Sequence, residues 1–276
     1  MRVILPYTAP YDWGAIAQFL AARATPGVER VGAAGYCRTV SVNGFIGSIL
    51  VAPMGGADAL TVDVSIPDRA LIPSIVERVA AMFDVDHDPA TVAEVFGRLR
   101  LFKRACAAHA GIRLPGAWDP FELSVRAILG QQISVRAATT MAGRVAAKWG
   151  EAVTTEHGVD RLFPWPAALV DAKLERIGLI ASRAKTIRLL SRQVCAGTLS
   201  FESPTIVEDL QQIAGIGHWT AQYIAMRALK NADAFPSGDL VLRRKSGNCT
   251  ARALEKRSQK WRPWRAYAVM LLWTAD

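Results

Sequence analysis

Residues 210–225 read LQQIAGIGHWTAQYIA, and two glycines in this stretch stand directly before a segment with helical spacing. Leu210 and Ile213 fall on one face of a first helix, and a second helix follows the Gly-Ile-Gly turn. A helix start usually carries Ser, Thr, Asp or Asn as its N-cap, whereas this one has glycines followed by Trp219. The pattern predicts a helical hairpin whose turn either packs closely or is approached by a ligand.

The turn offers main-chain N–H groups to an anion. Because Gly215 and Gly217 lack Cβ atoms, they can adopt positive φ and let a phosphate approach the backbone. The N–H groups from Gly217 to Thr220 have no partner inside the second helix, and a helix N-terminus attracts anions. A helix–hairpin–helix binds a DNA backbone in this way without reading its sequence. A tight turn between two core helices would carry the same glycines, so the motif alone leaves both interpretations open.

Positive charge is concentrated near the C-terminus. The 276-residue chain has a net charge of +9, and the stretch from Asp239 to Tyr267 holds nine Lys or Arg residues against two acidic ones. A basic surface of this density favours a polyanionic partner, nucleic acid first. The alternative is a solvated helical face without a partner.

Composition indicates a folded globular protein, since 51% of the residues are hydrophobic and 21% are charged. No apolar run reaches the length of a membrane span, and prolines interrupt the N-terminus before a signal-peptide core could form. The four cysteines are scattered without the paired spacing of a zinc or iron–sulfur site. We therefore expect a soluble cytoplasmic protein with free thiols and no membrane partner.

Residues 1–88 and residues 89–276 carry different patterns. The first part contains YCRTVSVNGFIGSILVAP and DALTVDVSI, which are rich in β-branched residues and are separated by the turn-forming MGGA. Helical spacing precedes and follows these strands, and from residue 89 onward only helical patterns occur. The sequence predicts an α+β fold with a small N-terminal antiparallel sheet and helices, followed by a large all-α region.

A loop aspartate follows the hairpin. Asp239 lies 22 residues beyond Gly217 in the segment FPSGDLVLRR, residues 235–244. An Asp in a Pro/Ser/Gly-rich loop is most often an N-cap, here for a helix beginning with LVLRR. The same position after a helix–hairpin–helix also suits a catalytic carboxylate. Local sequence favours the N-cap and leaves the catalytic interpretation open.

Four segments with these features occur in order along the chain. They are RLPGAWDPFELSVRAILGQQISVRAA (113–138), IAGIGHWTAQYIAMRAL (213–229), FPSGDLVLRR (235–244) and WRPWRAYAVMLLW (261–273). Together with PYDW and FLAARA near the N-terminus, they resemble the AlkA-type DNA-3-methyladenine glycosylases II of the helix–hairpin–helix superfamily. The resemblance spans essentially the whole chain. It implies two helical subdomains flanking an active-site cleft in 89–276, with the hairpin at about residues 205–229.

The resemblance implies hydrolysis of the N-glycosidic bond of alkylated bases, with Asp239 as the catalytic carboxylate. A carboxylate beside the sugar stabilises the positive charge that develops there or orients the attacking water. Related glycosylases that also cut the strand carry Lys at the position of Trp219, and residues 211–229 contain no lysine. We therefore expect a monofunctional enzyme that flips the base out of the duplex and leaves an abasic site.

Aromatic residues are predicted to form the base pocket. Trp219 and Tyr223 are spaced i and i+4 and share a helical face. By resemblance, Trp273, Phe19 and Val241 line the same pocket, where electron-rich rings suit a cationic alkylated base. An aromatic pair at this spacing is more often part of a core, so the pocket assignment depends on the resemblance.

Further residues are predicted to contact double-stranded DNA. They are Gly215, Gly217, Thr220, Gln132, Ile133 and Arg244. A side chain must fill the gap left by the flipped base. The best-known member of the family has Leu for this purpose in the loop after RAILGQ, where this chain has Gln132 followed by Ile133. The sequence leaves open which of the two fills the gap, and a plain polar turn is the alternative.

No cofactor is expected, although the resemblance implies that backbone carbonyls of Gln211, Ile213 and Ile216 hold Na⁺ or K⁺. We expect a monomer. Two other functions stay open at this point: a non-catalytic helix–hairpin–helix DNA-binding module, and a bifunctional glycosylase/lyase. The preferred lesion, and whether the chain belongs to a larger fusion protein, do not follow from the sequence.

Overall fold

The computed structural model describes residues 1–274, and over this range it combines one antiparallel sheet with thirteen α-helices. This confirms the predicted α+β class. The strands are β1 (Arg2–Pro6), β2 (Glu29–Gly32), β3 (Gly35–Val42), β4 (Phe45–Pro53) and β5 (Ala59–Ser65). Their order in the sheet is β1-β5-β4-β3-β2, and every neighbouring pair is antiparallel.

One helix lies between β1 and β2, and the other twelve follow β5 in the described range. They are α1 (Trp13–Ala21), α2 (Ile72–Phe83), α3 (Pro89–Phe96), α4 (Lys103–Ala108), α5 (Pro120–Leu129), α6 (Val135–Trp149), α7 (Pro166–Leu169), α8 (Ala181–Cys195), α9 (Ile206–Gln211), α10 (His218–Ala228), α11 (Leu240–Lys245), α12 (Ala251–Ser258) and α13 (Arg265–Thr274). Within the described range, no helix combines the length and apolarity needed to cross a bilayer.

A short loop divides the long helical pattern after residue 118 into α5 and α6. Asp119 caps α5 by accepting a hydrogen bond from the Glu122 N–H, and Pro120 occupies the first helical position. α5 ends at Leu129 with Gly130 as its C-cap, and the Ser134 hydroxyl caps α6 by accepting from the Ala137 N–H at 3.2 Å. The loop between them reaches the helical hairpin and contains the predicted gap-filling residues.

Two buried apolar clusters organise the molecule. The first contains the sheet, α1, α2 and residues from 225 onward, including α13. The second is built by α5 to α10 together with Val28. Tyr223 packs against both clusters, so it lies at their boundary. The sheet region predicted over residues 1–88 thus shares its core with C-terminal helices.

Buried charges join the sheet to α5. Arg38 of β3 donates to Glu122 at 2.7 Å, and Arg126 donates to both Glu122 at 2.9 Å and Glu29 at 2.8 Å. The Tyr36 hydroxyl donates to the other Glu29 oxygen at 2.7 Å. Burial raises the pKa of Glu29, but the two guanidinium groups outweigh it and hold that pKa below its usual value. The two carboxylates balance the two cations, so the cluster is neutral.

Glu122→Gln tests this cluster, because it keeps the shape of the side chain and leaves the buried Arg38 without its closest carboxylate. We expect a loss of about 3–5 kcal/mol in the free energy of unfolding, measured by urea titration. The control is Glu175→Gln, which removes an exposed partner of Arg188 and should leave the urea midpoint unchanged. Equal midpoints for both variants would contradict this account of the cluster.

Candidate active site

Asp239 is the N-cap of α11, and its hydrogen bonds also fix the direction of its carboxylate. One carboxylate oxygen, Oδ1, accepts from the N–H groups of Val241 at 2.9 Å and Leu242 at 3.0 Å. Trp219 Nε1 donates to Oδ2 at 3.1 Å, and Trp273 Nε1 approaches Oδ1 at 3.4 Å. The N-cap interpretation is correct, and it accompanies a carboxylate held on two sides by indole N–H groups.

A cavity of about 460 Å³ opens beside this carboxylate. The predicted residues that line it are Asp239, Trp219, Tyr223, Trp273, Val241 and Ile133. Residues of α5 and α6 form the opposite side, among them Leu123 and Ala142. The volume suits a small planar heterocycle.

Stacked rings form one wall of the cavity. Trp219 and Tyr223 stack at 5.3 Å between ring centroids with an angle of 11°, and Tyr223 meets Trp273 at 6.2 Å. Phe19 stacks on Trp273 at 6.1 Å, but it is 8% exposed and does not line the cavity. Phe19 therefore supports the wall from behind and does not line the pocket, whereas the family resemblance predicts that it does.

Three arginines surround the Tyr223 hydroxyl. Arg227 Nη1 donates to it at 3.1 Å, while Arg23 and Arg126 line the cavity nearby. Burial raises the pKa of Tyr223, but the combined charges of Arg227, Arg23 and Arg126 hold it below the ordinary value of a phenol. The wall is thus aromatic on its face and cationic at one end.

The two glycines of the hairpin differ. Gly215 has φ of +97°, and a Cβ atom there would overlap the Thr186 hydroxyl, which donates to the Ala214 carbonyl at 2.8 Å. Gly217 has φ of −89°, and a Cβ atom there would meet open space. The fold therefore requires glycine at 215 but not at 217. Because Gly217 has no side chain, a ligand can approach the first N–H groups of α10 from solvent.

α10 begins without a capping side chain. Gly217 is its N-cap, and no side chain accepts from the first-turn N–H groups. Thr220 is 3% exposed, and its hydroxyl accepts from Gln131 Nε2 at 3.0 Å. The same amide donates to the Gly215 carbonyl at 2.8 Å. Only the backbone of Thr220 is therefore suited to an external anion, and Gln131 ties the α5–α6 loop to the hairpin.

The predicted gap-filling residues take different positions in that loop. Gln132 has φ of +57°, is exposed, and does not line the cavity. Ile133 is 36% exposed and lines the cavity beside Val135. The loop thus turns the side chain of Ile133 toward the cavity and leaves that of Gln132 outside it.

The basic C-terminal segment is partly neutralised. Asp233 pairs with Arg262 and Arg265, and Arg265 also reaches Glu255 at 2.8 Å. Arg244 is exposed and makes no ion pair within residues 1–274. The surface available to a polyanion is therefore smaller than the residue count suggests.

The predicted cation ligands lie around the hairpin turn. The Ile213 carbonyl accepts from the Ile216 N–H at 2.9 Å, while within residues 1–274 no hydrogen bond to the carbonyls of Gln211 and Ile216 is found. Such carbonyls fit a hard monovalent cation. No group of three or more His, Cys, Asp or Glu side chains suited to a metal occurs in the described part of the chain.

Sequence reasoning missed several residues at the site: Gln131, Arg23, Arg126 and Arg227. For Arg227 a signal exists, because it stands among buried positions of α10 four residues after Tyr223. Arg23 lies in the FLAARA segment, but nothing in its local pattern indicates a cavity. Gln131 has the same residue type as its neighbour, so sequence alone does not separate their roles.

Comparison with known proteins agrees with this geometry. The AlkA N-terminal domain model matches residues 2–119. DNA-3-methyladenine glycosylase 2 of Escherichia coli is 33% identical over 279 residues, covering 99% of this chain and 96% of that protein. A probable bifunctional transcriptional activator/DNA repair enzyme AlkA of Mycobacterium tuberculosis is 34% identical over 98% of this chain, which spans 56% of that longer protein.

Among solved structures, a 3-methyladenine DNA-glycosylase from Archaeoglobus fulgidus has the same fold, with a TM-score of 0.85 at 18% identity over 99% of this chain and 97% of that one. The sequence similarity extends over nearly the full length of the Escherichia coli relative and includes both the hairpin and the Asp239 loop. The chain belongs to the AlkA family of DNA-3-methyladenine glycosylases.

Proposed function

We propose that this chain hydrolyses the N-glycosidic bond of alkylated bases in double-stranded DNA, 3-methyladenine among them, and leaves an abasic site. The observation that carries the proposal is the carboxylate of Asp239, which faces an aromatic cavity of about 460 Å³ and is held by four N–H groups. A flipped base fits the cavity, and its sugar then lies near the carboxylate.

The chemistry follows from charge. Breaking the bond between C1′ and the base nitrogen sends the electron pair to the base and leaves positive charge on the sugar. The carboxylate of Asp239 stabilises this charge and orients the water that adds to C1′, and the added water then loses one proton to solvent. An alkylated ring nitrogen makes the base cationic, so it departs as a neutral molecule and requires no strong general acid.

Water is the proposed nucleophile because no lysine is among the described residues that line the cavity. Trp219 occupies the position of the lyase amine and donates its indole N–H to the carboxylate instead. Borohydride should therefore trap no covalent adduct between the protein and damaged DNA. A trapped adduct would favour the bifunctional glycosylase/lyase.

The hairpin is proposed to bind a DNA phosphate through the N–H groups at the start of α10, with the exposed Arg244 contributing charge. The carbonyls of Gln211, Ile213 and Ile216 are proposed to hold Na⁺ or K⁺, which adds positive charge beside that phosphate. We further infer a monomeric enzyme that acts on DNA in the cytoplasm.

Gln132 is the proposed gap filler. The flipped base occupies the cavity, so a residue that lines the cavity contacts the base, and the residue that enters the duplex must lie outside it. Ile133 lines the cavity, whereas the exposed Gln132 stands outside it.

Asp239→Asn tests the catalytic assignment, because Asn is as good an N-cap as Asp and keeps α11 in place. We expect the single-turnover release of 3-methyladenine from duplex DNA to fall by about 100-fold or more. Asp88→Asn, which alters the N-cap of α3, is the matched control and should release the base at the wild-type rate. A wild-type protein that binds DNA but releases no base would support the non-catalytic module.

Gly217→Ala and Gly215→Ala should separate binding from folding. A methyl group at 217 meets no protein atom but obstructs a phosphate, so we expect unchanged stability and about tenfold weaker DNA binding. A methyl group at 215 requires positive φ and overlaps Thr186, so we expect a loss of at least about 1–2 kcal/mol in unfolding free energy. Thermal unfolding and fluorescence-anisotropy titration measure the two effects, and unaltered DNA affinity in Gly217→Ala would contradict the phosphate contact.

Gln132→Gly removes the proposed gap filler and still permits the positive φ at this position. We expect base release from duplex DNA to slow by the order of tenfold, since the flipped state loses the side chain that replaces the base. Release from single-stranded DNA should not change, because no gap has to be filled there. Equal slowing on both substrates would show that the residue acts elsewhere.

A further inference from the structure

Two guanidinium groups beside the aromatic wall, those of Arg23 and Arg227, have no carboxylate partner within residues 1–274. Arg227 is 3% exposed and donates to the carbonyls of Pro115 and Gly116 and to the Tyr223 hydroxyl. Arg23 lines the cavity and donates to the Phe19 carbonyl at 3.2 Å. Neither forms an ion pair within residues 1–274, in contrast to Arg126, whose charge Glu29 and Glu122 balance.

Both groups contact the rings that form or support the aromatic wall. The Arg23 guanidinium lies 3.8 Å from the centroid of Phe19 and that of Arg227 lies 4.5 Å from it. Arg227 also lies 5.9 Å from the centroid of Tyr223, which lines the cavity. Burial lowers the pKa of Arg227 to about 10, so the side chain keeps its charge at neutral pH.

An uncompensated buried cation is costly, and hydrogen bonds to carbonyls could be made at lower cost by a neutral side chain. A positive charge here opposes the binding of a cationic base. It favours the release of a neutral base. Such a base takes the bonding electron pair when it departs, so it is an anion until water protonates it. The cations therefore act oppositely on the two kinds of base.

We propose that the charges of Arg23 and Arg227 set the selectivity of the pocket, by stabilising the departing anion of neutral damaged bases and opposing cationic ones. Asp239 attracts positive charge at one end of the cavity, and the two guanidinium groups counter it at the other. The inference rests on the proposed glycosylase function. Under it, these arginines determine the relative rates at which cationic and neutral damaged bases are released.

The test compares kcat/KM on two duplexes, one with a cationic 7-methylguanine and one with a neutral hypoxanthine. For Arg227→Gln, whose amide can still donate to main-chain carbonyls, we expect the cationic-to-neutral ratio to rise by the order of tenfold. Arg227→Lys retains the charge and should keep the wild-type ratio, even if both rates fall. Arg2→Gln, at the sheet edge beside Asp63, is the control for net charge and should leave the ratio unchanged.

Arg23→Gln keeps the test valid if Arg227→Gln fails to fold, because Arg23 is only half-buried and its substitution leaves α10 intact. We expect its ratio to rise several-fold, less than for Arg227→Gln because solvent screens this charge. Arg227→Gln also removes the positive charge that contacts the phenol of Tyr223. Ultraviolet difference titration against Tyr223→Phe should show a higher pKa of that phenol in Arg227→Gln.

The outcomes are distinct. A wild-type protein that releases neither base contradicts the proposed function itself. A wild-type protein that releases only the cationic base, or an unchanged ratio in folded Arg23→Gln and Arg227→Gln, overturns the selectivity role and leaves the glycosylase function in place.

Discussion

The hydrogen bonds that begin α11 are the interaction on which the site depends. Asp239 accepts two of its own helix's N–H groups and two indole N–H groups from α10 and α13. The capping bonds are local, but the indole bonds bring together elements that belong to different parts of the sequence. Because one carboxylate serves as cap and as partner of both tryptophans, its position follows from the packing of three helices.

Around this carboxylate, some residues hold the backbone in place while residues close to them leave space for a ligand. In the hairpin, Gly215 satisfies the backbone and Gly217 leaves space for a ligand. In the α5–α6 loop, Gln131 anchors the turn to the hairpin while Gln132 stays exposed. Each pair has one residue that stabilises the structure and one that is available to DNA. We therefore expect nearby residues of the same type to have different consequences when they are replaced.

Local pattern predicted the fold class, because β-branched runs and helical spacing are properties of short segments. It also placed the hairpin and the loop that contains Asp239. The pocket does not follow from local pattern, since tertiary packing that no spacing rule reports brings Trp219 and Trp273 to Asp239. Their assignment to one pocket comes from family resemblance. Phe19 was assigned to the pocket on the same basis, and the structure puts it behind Trp273.

Buried charge was the feature least accessible to sequence. Arg38 and Arg227 are buried and Arg126 is largely so, whereas a count along the sequence treats all three as surface cations. Two of them are neutralised by Glu29 and Glu122, while the third is not. Arg38 meets Glu122 over a separation of 84 residues and Arg126 meets Glu29 over 97, so the sequence does not show which arginine has its charge balanced.

The central claim is that Asp239 stabilises positive charge on the sugar. The most direct measurement is the affinity for duplexes in which the damaged nucleotide is replaced by a pyrrolidine, which is cationic at the position of the sugar, or by a neutral tetrahydrofuran. The account predicts that the wild-type protein binds the cationic duplex much more tightly and that Asp239→Asn loses this preference. An equal preference in both proteins would contradict it.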